Sequence, residues 1–127
     1  MKQHHVAVVC SSRKRAEQFY ETILGLSLIK TMPLGGELAQ RIFDTPDECE
    51  VFLYGNEHFA IEVFVTSTTA PKPGIYAHLC LEVDDKRHFA DTCEAQDLEV
   101  RRIPRGDDIM VFVKDFDGNL FEIKEKT

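Results

Sequence analysis

Residues 4–10, His-His-Val-Ala-Val-Val-Cys, decide the fold, because a similar run returns at residues 77–83, Ala-His-Leu-Cys-Leu-Glu-Val. Each run sets a histidine ahead of alternating apolar residues, which is the pattern of a half-buried strand. A basic segment suited to a helix start follows each run, at residues 13–15 and at residues 86–88. Superimposing the two histidines aligns these features. The sequence therefore predicts two copies of one module.

The predicted elements come in the same order in both halves. The first half is predicted to contain a strand over residues 3–10, a helix from Ser11 or Ser12 to Gly25, and strands over residues 26–32, 38–44, 51–54 and 59–65. The second half is predicted to contain a strand over 75–83, a helix from Asp84 or Asp85 to about 96, and strands over 98–103, 109–114 and 119–124. A hairpin at Asp117-Gly118 joins the last two strands.

This order predicts an α+β fold in which two βαβββ modules form a curled mixed sheet. We expect one domain over residues 1–127, with module one at about 1–66 and module two at about 75–127. The stretch between them, about 67–74, is rich in Ser, Thr and Pro and reads as a linker.

Four residues are candidate metal ligands: His5, Glu62, His78 and Glu122. Each falls in a strand-like run, and the His-then-Glu order repeats with the modules. Residues two apart on a strand share a face, so all four lie opposite the more apolar face, which carries residues such as Ile61 and Val63. Imidazole nitrogen and carboxylate oxygen suit one divalent ion, Zn²⁺ or Ni²⁺ first, with Mn²⁺, Fe²⁺ or Co²⁺ as alternatives.

Composition favours a small molecule or a protein as the partner, and we expect a small-molecule substrate. The formal charge of −7 disfavours nucleic acid and anionic membranes as partners. No apolar run approaches the ~18 residues of a membrane span, and the first residues show no signal-peptide core, so we expect a cytoplasmic protein. The four cysteines form no C-x-x-C pair and are expected to be buried, reduced thiols.

Over its whole length the chain resembles the vicinal oxygen chelate superfamily, which includes glyoxalase I, fosfomycin-resistance and bleomycin-resistance proteins and extradiol dioxygenases. The resemblance is carried by residues 4–7 (His-His-Val-Ala), Phe19-Tyr20 to Leu24-Gly25-Leu26, Ala60-Ile61-Glu62, Ala77-His78-Leu79, and the closing run from Lys114 to Glu122. That run resembles the family's Asp-Pro-Asp-Gly turn before a ligand Glu, with Phe116 where the Pro usually stands.

Within the superfamily, bacterial glyoxalase I (lactoylglutathione lyase) is the nearest pattern, because it uses His, Glu, His and Glu in this order. The resemblance implies a metal-dependent lyase that forms a homodimer and isomerises the hemithioacetal of methylglyoxal and a thiol. The product would be a hydroxyacyl thioester, formed through an enediolate that the metal stabilises. Glu122 is the expected catalytic base, and Glu62 either serves the opposite proton or is a ligand alone.

The chain departs from glyoxalase I at two positions. That enzyme holds the glutathione carboxylate with an Arg four residues after the first ligand His and an Asn four residues after the first ligand Glu. This chain has Val9 and Thr66 at these positions. Because neither side chain can replace the charged contact of the Arg, the sequence disfavours glutathione as the thiol. Cationic residues that offer a replacement are Arg101, Arg102, Arg105 and Lys124, although Arg101 and Arg102 fit a solvated edge strand better.

Other functions of the same superfamily stay open. A metal-dependent acyl-CoA epimerase resembles this chain but has Gln in the place of Glu62, and a fosfomycin thiol transferase uses only three protein ligands. An extradiol dioxygenase needs two His and one Glu around Fe²⁺ in a longer chain. A non-enzymatic small-molecule-binding resistance protein lacks the ligands. Near the site, His4 is expected at the surface or supporting a ligand, Phe64 in a pocket wall, and Cys80 as a small buried residue.

Overall fold

The computed structural model describes residues 1–66 and 76–127. The chain divides into two compact units, Met1–Pro71 and Lys72–Thr127. The predicted linker at 67–74 lies outside the described residues, as does Ile75 at the start of the predicted strand 75–83. Within the described residues, no helix is long and apolar enough to cross a membrane.

Unit one forms a four-stranded mixed sheet. Its elements are β1 (Val6–Cys10), α1 (Arg13–Ala16) continued by a π-helical segment (Glu17–Ile23), β2 (Ser27–Leu34), α2 (Gly36–Phe43), β3 (Cys49–Gly55) and β4 (Ala60–Val65). The strand order is β1-β4-β3-β2. The β1 and β4 strands are parallel, and the other neighbours are antiparallel.

Unit two repeats this arrangement without a counterpart of α2. Its elements are β5 (Leu79–Val83), α3 (Lys86–Ala95), β6 (Val100–Arg105), β7 (Asp108–Lys114) and β8 (Leu120–Glu125). The strand order is β5-β8-β7-β6, with β5 and β8 parallel. The predicted α+β class and the βαβββ order are confirmed, with a separate mixed sheet in each unit.

The two predicted helices begin and end at the residues that the sequence indicates. Of the two candidate serines, Ser12 is the N-cap of α1, and its Oγ accepts a hydrogen bond from the Arg15 backbone N–H at 3.2 Å. Asp85 caps α3, accepting from the His88 N–H at 2.9 Å. Gly25 follows the π-helical segment at φ 71, a left-handed conformation that favours glycine. Short polar side chains therefore set both helix starts.

The predicted strand at residues 38–44 is wrong, because this segment is helix α2. Leu38 and Ile42 are exposed, whereas Ala39 is fully buried against Leu34 and Val51. Apolar residues four apart, such as Ala39 and Phe43, share a helix face. Each of them has an apolar neighbour in the sequence, Leu38 or Ile42, and such a run resembles a short strand. The helix ends at Asp44, which adopts φ 58.

Each sheet buries one face under its helix, as strand parity predicts. In unit one the buried face carries Ile61 and Val63, both fully buried, and the π-helical segment contributes Phe19 and Tyr20. The Tyr20 ring stacks on Tyr54 at 6.0 Å between centroids. In unit two the corresponding buried residues are Val111, Val113, Phe121 and Ile123 of the sheet with Ala90 and Cys93 of α3. The opposite sheet face is left for the candidate ligands.

Asp115 organises the turn between β7 and β8, where the sequence predicts a hairpin through Asp117-Gly118. The Asp115 N–H donates to the Asn119 carbonyl at 3.0 Å, and the Gly118 N–H donates back to the Asp115 carbonyl at 3.3 Å. Gly118 supplies a φ of 88. Asp117 stays outside the left-handed region, so the type I′ geometry of a tight Asp-Gly hairpin is not formed.

Candidate metal centre

The four predicted ligands form one His–Glu pair in each unit. His5 Nε2 lies 3.6 Å from Glu62 Oε2, with side chains 36% and 18% exposed. His78 Nε2 lies 3.5 Å from Glu122 Oε2, with side chains 40% and 21% exposed. The two pairs therefore match in atoms, distance and exposure.

Parallel strand pairing produces this match. Glu62 of β4 stands opposite Ala7 of β1, and Glu122 of β8 stands opposite Cys80 of β5. In each case the histidine lies two residues before the strand residue that faces the glutamate, so the two side chains share a sheet face. One detail of the prediction is wrong, since His5 and His78 each lie one residue before the strand rather than inside it.

The spacing within each pair fits a metal ion better than a hydrogen bond. At 3.5 and 3.6 Å the nitrogen–oxygen distances are longer than an ordinary N–H···O bond. Two donors that each lie about 2.1 Å from one ion are about 3.4 Å apart at the tetrahedral angle. Neutral imidazole with carboxylate is a donor set that suits a divalent first-row metal.

The ring nitrogens away from the glutamates are held by neighbours. The His78 Nδ1–H donates to the Tyr76 carbonyl at 2.8 Å, and the other ring nitrogen, Nε2, lies on the side of Glu122. The His5 Nδ1 lies 2.8 Å from the Nδ1 of His4, which is itself exposed. Metal-binding histidines are oriented by such bonds at the second ring nitrogen. His4 thus takes the supporting position expected of it.

The two glutamates have different surroundings. Glu62 lies between Ala7 and Leu53 in the sheet. Glu122 lies between Cys80 and Phe112, and the Lys124 Nζ stands 3.9 Å from its Oε1.

Cys80 is exposed, so the expectation that it is buried is wrong. Of the remaining thiols, Cys10 and Cys93 are buried and Cys49 is half-buried. Partial desolvation and then the Glu122 charge raise the pKa of the Cys80 thiol. Cys80 therefore stands beside Glu122 as a protonated thiol at neutral pH.

The cationic residues offered as replacements for the glutathione anchors are largely paired elsewhere. Arg102 donates to Asp91 at 2.8 Å and also to Glu94, and Arg101 lies 3.5 Å from Glu99. Both arginines are exposed on β6, which is the edge strand of its sheet, as predicted from the sequence.

Arg105 and Lys124 line a groove in unit two that carries charges of both signs. The acidic residues in its lining include Asp84, Asp85 and Asp108. Lys86 Nζ lies 2.6 Å from Asp108 Oδ2, so part of the positive charge is already neutralised. The groove is therefore not a concentrated anion site.

An apolar cavity of about 470 Å³ lies beside the His–Glu pair of unit one. Its lining includes Val9, Thr66 and Phe64, together with Phe43 of α2. The pocket-wall role expected of Phe64 is therefore met. Phe43 was missed as a wall residue because α2 was predicted as a strand, and the signal that would have revealed it is the four-residue spacing from Ala39.

A repeated βαβββ unit with parallel outer pairing and a His–Glu pair on the open sheet face is the architecture of vicinal oxygen chelate proteins. The sequence model of the Glyoxalase/Bleomycin resistance protein/Dioxygenase superfamily matches residues 2–123. The chain belongs to this superfamily. No curated protein sequence matches it.

Solved structures share the fold at low sequence identity. A glyoxalase family protein from Bacillus cereus has a TM-score of 0.78 at 20% identity, covering 98% of this chain and 93% of its own. The fosfomycin resistance protein FosX from Listeria monocytogenes has a TM-score of 0.72 at 14% identity, covering 100% and 94%. A glyoxalase family protein from Enterococcus faecalis has a TM-score of 0.69 at 19% identity, covering 96% and 95%. A variant of the Listeria FosX was solved with Mn(II) and 1S,2S-dihydroxypropylphosphonic acid.

Proposed function

We propose that the protein is a glyoxalase I-like lyase that uses one divalent metal ion, Zn²⁺ or Ni²⁺ first, held by His5, Glu62, His78 and Glu122. The reaction isomerises the hemithioacetal of methylglyoxal and a thiol to a hydroxyacyl thioester. The observation that carries this proposal is the duplicated His–Glu pair, with matching atoms at 3.6 and 3.5 Å. A binding protein that needs no metal has no use for the same pair twice.

The reaction moves hydrogen between adjacent carbons without an external oxidant. A divalent ion held by the four ligands would supply a Lewis acid, which would make the carbon-bound hydrogen of the substrate more acidic. Glu122 removes the proton from the carbon that bears sulfur and hydroxyl, giving an enediolate. The same proton is then returned to the neighbouring carbon. The proton of the original hydroxyl passes to the former carbonyl oxygen, which leaves a thioester carbonyl and a new hydroxyl group.

We assign Glu122 as the base by its position in the resemblance to glyoxalase I. Its side chain is 21% exposed, which leaves room for a substrate carbon. Among the described residues, the ion-pair partner of Glu62 is His5, at 3.6 Å. We assign Glu62 as a ligand that also faces the proton on the opposite side of the substrate.

The test is metal-dependent turnover. Protein purified without chelators is loaded with Ni²⁺ or Zn²⁺ and offered methylglyoxal with glutathione, with small neutral thiols and with no thiol. Thioester formation, followed by its ultraviolet absorbance, is expected with at least one thiol and disappears after chelation. Metal binding without turnover of any hemithioacetal would contradict the lyase and favour an acyl-CoA epimerase, which moves a proton at a carbon next to a thioester.

A single site of four ligands requires the two pairs to meet, either within one chain or across a homodimer, and mixing distinguishes the two. His5→Ala/Glu62→Gln and His78→Ala/Glu122→Gln variants are each expected to be inactive. In a homodimer that shares sites, mixing and refolding them regenerates one intact site per mixed dimer. We propose this shared homodimer, in keeping with the superfamily resemblance, and a cytoplasmic protein. Activity that stays absent in the mixture would place the complete site in one chain.

A further inference from the structure

The apolar cavity of unit one adjoins the His–Glu pair directly. Ala7, which lines the cavity, is also the β1 residue that stands opposite Glu62. Phe64 lies two residues beyond Glu62 on β4 and therefore projects from the same face, about 7 Å along the strand. A molecule held at Glu62 can therefore extend along the sheet face into this cavity.

The walls of the cavity are apolar and aromatic. The rings of Phe43 and Phe64 meet edge to face with centroids 5.4 Å apart. Leu34 and Cys49 complete the floor, and burial raises the pKa of the Cys49 thiol, which keeps it uncharged. A volume of about 470 Å³ falls in the range of small-molecule sites.

The charge of the cavity disfavours an anionic occupant. Among the residues that the structure describes, Asp47 is the one charged residue in the lining, and none of the described Lys or Arg residues contributes to it. The positions that carry Arg and Asn in bacterial glyoxalase I are Val9 and Thr66, and both line this cavity. A glutathione chain, with two carboxylates, would place negative charge beside a carboxylate and an apolar wall.

We propose that this cavity binds the sulfur substituent of the substrate and selects a neutral, apolar group, for which a benzyl group serves as the probe. That the occupant is the thiol half of a hemithioacetal rests on the proposed function. The preference for a neutral, apolar group rests on the cavity alone. Phe43 and Phe64 are the residues that set the specificity, and Val9 excludes the charged thiol.

The first experiment measures binding without turnover. Calorimetric titration with benzyl methyl sulfide, which has no free thiol, is compared with titration of S-methylglutathione. Phe43→Ala is expected to weaken benzyl methyl sulfide binding by up to about tenfold, the size of one aromatic contact. Because Phe43 is 49% exposed, this variant is expected to fold. The matched control is Ile42→Ala, on the same helix and 57% exposed but outside the cavity lining, which is expected to leave binding unchanged.

The second experiment exchanges the specificity. Val9→Arg is expected to lower affinity for benzyl methyl sulfide and to create measurable affinity for S-methylglutathione. Stronger binding of S-methylglutathione than of benzyl methyl sulfide by the unchanged protein, or equal losses in Phe43→Ala and Ile42→Ala, would overturn the inference.

Turnover separates the two proposals. Faster conversion of the benzyl mercaptan hemithioacetal than of the glutathione one supports both proposals. Sulfide binding with the expected variant pattern, but no turnover of any hemithioacetal, supports the cavity and contradicts the lyase. Efficient turnover of the glutathione hemithioacetal with no effect of Phe43→Ala supports the lyase and overturns the cavity inference.

Discussion

The turn that leads into the Glu122 strand depends on one buried carboxylate, so replacing Asp115 by alanine tests how the site is held. Asp115 is 6% exposed. Its Oδ1 accepts backbone N–H bonds from Asp117 and Asn119, each at 2.9 Å, and its Oδ2 accepts from the Asn119 side-chain amide at 2.7 Å. The strand β8 begins one residue after Asn119, at Leu120, and carries Glu122.

The expected loss follows from these three bonds. A hydrogen bond to a charged group contributes about 1.5–3 kcal/mol, and the contributions of neighbouring bonds are not additive. Water can reach part of this turn and replace one partner, so we expect Asp115→Ala to lower the free energy of unfolding by about 3 kcal/mol. Since typical total stability is about 5–15 kcal/mol, this is a large fraction.

Urea unfolding followed by circular dichroism measures the change as a shift of the midpoint at constant slope. The matched control is Asp115→Asn, which keeps one acceptor oxygen and should lose less than half as much. A loss below about 1 kcal/mol in Asp115→Ala would refute the claim that this carboxylate holds the turn.

Further predictions concern the buried tyrosine and the site. Tyr54 is fully buried, its hydroxyl has no hydrogen-bond partner among the described residues, and burial raises its pKa to about 12. Tyr54→Phe is therefore expected to raise the free energy of unfolding by about 1 kcal/mol in urea titration, and a clear loss would reveal a partner. Because an unfolded tyrosine ionises near pH 10, the unchanged protein should lose stability as pH rises from about 10 to 12, less so in Tyr54→Phe. Glu122→Gln is expected to keep measurable metal but lower kcat by at least about a hundredfold, while Glu62→Gln mainly weakens metal binding; near-parental kcat in the first would reverse the base assignment. His4→Ala is expected to weaken metal binding about tenfold by freeing the His5 ring, seen by competition with a chelator dye, and an unchanged affinity would remove His4 from the site.

The duplicated module was predictable because its signal is repeated and periodic. The alternation around Val6 and Val8, and its return around Leu79 and Leu81, fixed which sheet face is buried. The same alternation placed Glu62 and Glu122 on the open face, which the structure confirms. Parallel pairing then brings each glutamate to its histidine, and that register depends on tertiary structure rather than on any local pattern.

Helix α2 was harder to predict from the sequence. Its apolar residues stand in adjacent couples, Leu38-Ala39 and Ile42-Phe43, and a run of this kind suits a short strand as well as a helix. Burial of Ala39 on the sheet decides for the helix. The cavity wall formed by Phe43 therefore became visible only with the fold.

The most direct test of the central claim is the number of metal ions bound per chain. Titration of metal-free protein with Ni²⁺ or Zn²⁺, checked by elemental analysis, is expected to give one ion per chain. Alanine at either His5 or His78 should then weaken the binding of that same ion. Two ions per chain, or unchanged affinity when one of the two pairs is removed, would show that the His–Glu pairs act separately and would contradict a single shared site.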